Sequence, residues 1–124
     1  MVANTRVRFD VCFTVNSRQQ VTPVCQQLGS SLSRLFGGVT FYNNAEGAIG
    51  YWTADSHLFL EEYPTDAMSE PLVVFSVSVL PDQQTFAFEH IKSELQQIKN
   101  TFLTNSSYVH IESQVVESHH FKLD

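Results

Sequence analysis

The chain has 124 residues, 43% of them hydrophobic, which suffices for one two-layer core and sets the expectation of a single domain over residues 1–124. Seven Lys and Arg against thirteen Asp and Glu give a formal net charge of −6, which argues against nucleic-acid partners and anionic membranes, because both select a basic surface. Cys12 and Cys25 are too few for a disulfide framework and lack C-x-x-C spacing, so they read as semi-buried reduced thiols.

The opening residues carry no basic n-region and no uninterrupted apolar stretch, and the longest apolar run, Pro71 to Leu80, is about half the ~20 residues that span a bilayer. A cytoplasmic protein is expected. From Arg6 to Val15 apolar and polar residues alternate strictly, with Val7, Phe9, Val11, Phe13 and Val15 on one face and Arg6, Arg8, Asp10, Cys12 and Thr14 on the other. This is a first strand with one wet or partner-covered side. Thr22-Pro23 reads as an N-cap and a first-turn proline, and Val24, Leu28, Leu32, Leu35 and Phe36 continue at helical spacing until Gly37-Gly38 ends the helix.

Val39 to Asn43 is the second strand, and Asn43 to Gly47 reads as a turn that suits a hairpin. Ala48 to Thr53 and His57 to Tyr63 read as short extended pieces of an excursion spanning about 45–70. Leu72 to Leu80 is apolar on both faces at one end, which places it centrally in the sheet. After Pro81, either Asp82 or Thr85 caps a second helix whose stripe is Phe88, Ile91, Leu95, Ile98 and Phe102, with Lys92, Glu94, Gln96, Gln97 and Lys99 opposite. Asn105-Ser106-Ser107 forms the exit loop. Tyr108 to Val116 is the last strand, Val109 and Ile111 facing inward and Tyr108, His110, Glu112 and Gln114 outward.

This order predicts an α+β fold: a ferredoxin-like βαββαβ two-layer sandwich with a four-stranded antiparallel sheet, both helices on one face, and the elaborated 45–70 segment between strands two and three. The crossover rule adds the expectation that the first and third strands pair in parallel.

If the terminal strands are neighbours, the open sheet face gathers Arg6, Arg8, Asp10, Cys12, Tyr108, His110 and Glu112. A histidine between carboxylate and guanidinium is equipped for general-base chemistry or anion binding. Cross-strand ion pairing on a wet surface accounts for the same residues more simply. Tyr42, Trp52, His57 and Phe59 are the candidates for a ligand pocket beneath the excursion, although aromatic clusters are more often core. His57 with Asp55, Glu61 and Glu62 matches no closed zinc pattern, and Glu117-Ser118-His119-His120 reads as a frayed tail. His90 sits one position off the second helix's stripe, and no role follows for it. Phosphate-loop, dinucleotide and nucleophile-elbow motifs are absent. No catalytic residue, metal or cofactor is therefore assigned.

Leu35-Phe36-Gly37-Gly38-Val39-Thr40, Gly50-Tyr51-Trp52, and the acidic Glu61-Glu62 ahead of the strand at Leu72 resemble a family of small uncharacterised bacterial ferredoxin-like proteins. Its pattern is a helix, F-G-G-[VA]-T, G-x-W, then an acidic residue leading into strand, helix and strand. The resemblance covers about Cys25 to Val116 and implies the architecture, with no settled activity, cofactor or catalytic residue to carry over. In looser members a D-x-x-G turn follows the tryptophan, whereas Ala54-Asp55-Ser56-His57 lacks the glycine. The expected function is a non-enzymatic binding or assembly module acting as a homodimer. The alternative is a small-molecule enzyme or ligand sensor of the dimeric α+β type, with its pocket under the excursion and His57 or His110 as proton carrier.

Overall fold

Five strands and two helices account for the regular structure of the computed structural model, which describes residues 4–42, 48–104 and 109–124. In chain order they are β1 (Thr5–Thr14), α1 (Val21–Phe36), β2 (Thr40–Phe41), β3 (Ala48–Trp52), β4 (Met68–Val79), α2 (Gln84–Phe102) and β5 (Val109–Glu117). The turn expected at Asn43 to Gly47, the exit loop Asn105-Ser106-Ser107, and Tyr108 lie outside the described residues.

Alternation in β1 does what period-two patterning demands: Val7, Phe9, Val11 and Phe13 are buried, and the intervening residues stay half-exposed. Val73, Phe75, Val77 and Val79 of β4 extend that buried face. Val21, Val24, Leu28 and Leu32 of α1 and Ala87, Ile91, Leu95 and Ile98 of α2 close over it, so both helices share one side of the sheet. Burying each large aliphatic side chain contributes about 1.5–3 kcal/mol. Gly37 ends α1 at φ +87°, and its N–H donates to Ser33 O at 2.8 Å, a conformation in which a Cβ would be strained.

The sheet order is β2-β4-β1-β5, every pairing is antiparallel, and β3 also pairs with β4. The fold is thus ferredoxin-like α+β, with five strands rather than four. One expectation is reversed: β1 and β4, the strands expected to be parallel, run antiparallel from Val7 opposite Val79 to Thr14 opposite Leu72. The right-handed crossover acts on β1-α1-β2, whose strands are parallel but not adjacent because β4 inserts between them.

Nor are β2 and β3 the arms of a hairpin, since both run the same way along one edge of β4. The chain reverses instead between Trp52 and Met68. Pairing of β1 with β4 stops at Thr14 opposite Leu72, followed by one bond from Val15 N–H to Pro71 O at 3.0 Å. Met68 to Pro71 and Ile49 to Trp52 therefore continue as a two-stranded arm beyond the sheet.

The helix starts also differ from expectation. A 3-10 turn at Arg18–Gln20 leads directly into α1, so Thr22 and Pro23 fall inside its first turn and Thr22 caps nothing. The Gln20 carboxamide accepts Asn16 N–H at 2.7 Å and donates to Phe102 O at 2.9 Å, while Asn16 Nδ2 donates to Leu103 O at 2.9 Å. These two side chains satisfy carbonyls at the end of α2 that the helix cannot satisfy itself. Gln83 precedes α2 without a side-chain cap, so neither Asp82 nor Thr85 fills that role.

Leu28, fully buried between α1 and the sheet, tests this packing. Leu28→Ala should lower the unfolding free energy by about 2–5 kcal/mol in urea denaturation followed through Trp52 fluorescence. A loss within the ~0.5 kcal/mol typical of surface sites would contradict the arrangement.

Candidate functional site

Facing away from the helices, the even-numbered residues of β1 meet β5 in a definite register. Arg6 lies opposite Val116, Arg8 opposite Gln114, Asp10 opposite Glu112 and Cys12 opposite His110. The terminal strands thus bring Arg6, Arg8, Asp10, His110 and Glu112 onto one surface. Asp10 and Glu112 are like charges directly across a strand pair, an unfavourable arrangement by itself. Each is offset along its own strand: Arg8 Nε donates to Asp10 Oδ2 at 3.3 Å, and the His110 ring donates to Glu112 Oε1 at 2.9 Å. All four side chains are at least 39% exposed, so water weakens these pairs and they contribute little to stability.

Cys12 beside His110 and Glu112 has the composition of an activated thiol but the opposite electrostatics. Burial pushes its pKa up, and the negative charge of Glu112 pushes it further the same way. A nucleophilic cysteine needs its thiolate stabilised, so this trio is not arranged for thiol attack. Cys25, also raised by burial, packs on the helix side of the sheet, and the two cysteines form no disulfide.

The four residues expected around a pocket are distributed along the β2 and β3 edge and the loop beyond it. Tyr42 is exposed and its hydroxyl shares a 2.8 Å hydrogen bond with Ser76 Oγ. Trp52 is half-buried, and its Nε1 is buried without an acceptor among the described residues. A Cβ on Gly50 would collide with Leu72 Cδ1 and stand 2.8 Å from Trp52 Nε1, which explains the G-x-W spacing: the missing side chain makes room for the indole and Leu72.

His57 lies exposed in a 3-10 turn, Ser56–Leu58, where an extended piece was expected. Phe59 follows at φ +53° and is 81% exposed. Asp55 closes this turn by accepting a hydrogen bond from Thr65 Oγ1 at 2.8 Å, which holds its carboxyl below the usual range.

Two surface cavities lie elsewhere, and Tyr42, Trp52, His57 and Phe59 line neither. One, of about 550 Å³, borders Gly37-Gly38 with Thr40, Ser76, Ser78 and His120. The other, of about 440 Å³, lies between α2 and β5 at the opposite edge of the sheet. Among the described residues no three His, Cys, Asp or Glu side chains are grouped to hold a metal, and no helix is long and apolar enough to cross a membrane.

One polar cluster was not foreseen. Glu94, expected on the wet side of α2, is only 8% exposed; Ser31 of α1 donates a hydrogen bond to its Oε1, and His90 Nε2 stands 3.3 Å from the same oxygen. His90 stacks on Phe86 at 5.8 Å between ring centroids and meets Phe36 edge-on at 6.4 Å. The signal was the i, i+4 spacing of His90 and Glu94 next to the stripe residues Ile91 and Leu95. It functions as a polar clamp between the helices.

No family model and no curated protein matches this chain. Among solved structures, the crystal structure of CutA1 from Oryza sativa is similar at a TM-score of 0.53 and 9% sequence identity, over 95% of this chain and 87% of that one. At that identity the likeness supports the ferredoxin-like fold and nothing finer.

Two measurements follow from this geometry. In a Cys25→Ser background, the alkylation rate of Cys12 by iodoacetamide should rise at higher pH than for an ordinary thiol, and Glu112→Gln should move the profile back down; an unshifted profile in both proteins would refute the assignment. Gly50→Ala should cost about 1–3 kcal/mol through overpacking and shift the emission of Trp52, the single tryptophan. Unchanged stability and emission would mean that the indole does not occupy that space.

Proposed function

We propose that this protein is a non-enzymatic assembly module that self-associates as a homodimer through the β3-β4 arm and the adjoining open sheet face. The observation that carries the reading is the arm's exposed apolar surface: Ile49, Tyr51, Leu58, Phe59, Leu60 and Met68 all stand in solvent. Ile49 and Tyr51 project to one side of the arm and Trp52 and Met68 to the other, because pairing partners share a face. Gly50, Leu72 and the indole of Trp52 pack together on the second side, while Ile49, Tyr51 and Met68 remain exposed. Exposed apolar surface of this kind marks a contact site.

Edge geometry supports the same reading. Among the described residues β3 pairs with β4 on one side and with no strand on its outer side, an edge whose backbone N–H and C=O groups can extend a sheet. A two-fold contact between identical arms is self-complementary by construction, and about 800 Å² per partner is typical of a specific interface. The charge of −6 leaves an apolar protein surface as the fitting partner, rather than nucleic acid or an anionic bilayer. We place the protein in the cytoplasm, where its two thiols remain reduced.

Light scattering should give twice the 14.1 kDa chain mass, and the double variant Tyr51→Ser/Phe59→Ser should return it to the single-chain value with its circular dichroism unchanged. A single-chain mass for the unaltered protein at high micromolar concentration would overturn the proposal. So would a double variant that stays dimeric.

A further inference from the structure

At the opposite edge of the sheet, the helices do not cover β5 as they cover β1 and β4. Inward-facing residues of β1 and β4 are almost wholly buried, whereas Val109 and Val115 of β5 are 42% and 73% exposed. Val109 and Ile111 at the start of β5 and the α2 residues from Phe88 to Lys99 form the two walls of the 440 Å³ cavity, within the roughly 300–1,000 Å³ usual for small-molecule sites. Phe13, Ile98 and Ile111 line it with apolar surface, and Phe88 stands at its side, 37% exposed.

The charge of the lining departs from that of the molecule. Thirteen acids outnumber seven Lys and Arg in the chain, yet the cavity's described lining contains Lys92 and Lys99 and no acid. Lys92 Nζ lies 5.4 Å from the Phe88 ring centroid and has only a loose contact, 3.9 Å, with Glu89. Lys99 has no carboxylate within ion-pair distance among the described residues. An apolar trough with two cations on the α2 side fits a ligand with a hydrophobic body and one anionic head, because the body gains from burial and the head finds Lys99 without an internal acid and Lys92 held only by an exposed 3.9 Å pair with Glu89.

We infer that the groove between α2 and β5 is a binding site for an apolar monocarboxylate of the fatty-acid class. The site is separate from the arm proposed for self-association and does not depend on it.

Isothermal titration of the full chain with decanoate, with decanol as the uncharged control, tests this directly. Decanoate should bind at one per chain and raise the melting temperature, and its affinity should fall as salt is added. Decanol should bind more weakly. Lys92→Gln/Lys99→Gln should weaken decanoate roughly fivefold to tenfold, the size expected of two exposed ion pairs, while leaving decanol binding and the circular dichroism unchanged. No decanoate binding at millimolar concentration would overturn the inference. Equal affinity for acid and alcohol would do the same, as would a double variant that binds decanoate normally. If the lysine variant instead changes the light-scattering mass without affecting decanoate, the groove belongs to a second copy of the chain and the ligand reading is wrong.

Discussion

Burial on one side of the sheet is the constraint from which the rest of the structure follows. The odd-numbered residues of β1 and β4 are sealed beneath α1 and α2, and because strand side chains alternate with a period of two, sealing one set commits the other to the opposite face. A slip of one residue would expose Phe9 and Phe75 and bury Arg8 and Asp10. Register is therefore held by hydrophobic burial, and the ion pairs on the open face are a consequence of that register.

What lies outside the sealed region is also what is available for contact. At one edge, β3 and the first residues of β4 run beyond β1 and carry Ile49, Tyr51 and Met68 into solvent, with Phe59 exposed in the loop that joins them. At the other, the helices cover β5 only in part and leave an apolar trough flanked by lysines. The two edges differ in chemistry: the arm offers exposed apolar surface and unpaired strand edge, and the trough offers a cavity with a local excess of positive charge. Neither places a base next to an activated nucleophile, and on the open face Cys12 is held in its protonated form by burial and by Glu112.

Much of this was legible in the chain. The alternation from Arg6 to Val15 announced β1 and both its faces, Gly37-Gly38 marked the end of α1, and the two-sided apolar character of Leu72 to Leu80 located a central strand. The meeting of Asp10 and Cys12 with Glu112 and His110 followed once the terminal strands were taken as neighbours. Glu94 was misread because a carboxylate next to an apolar stripe normally faces water; only α1 laid alongside α2 brings Ser31 to satisfy it. The role of Gly50 was equally hidden, since nothing local indicates that Trp52 and Leu72 occupy the volume its side chain would need.

The sequence by itself determined the element types, the buried face of each strand and the ferredoxin-like connectivity, because periodicity, glycine stops and β-branched runs act over a few residues and are written locally. Tertiary structure alone decided that β4 runs antiparallel to β1, that β3 continues the β2 edge instead of folding back on it, and that β5 is left only partly covered by the helices. Those outcomes depend on which surfaces compete for the same buried area across the whole fold, and no short segment contains that competition.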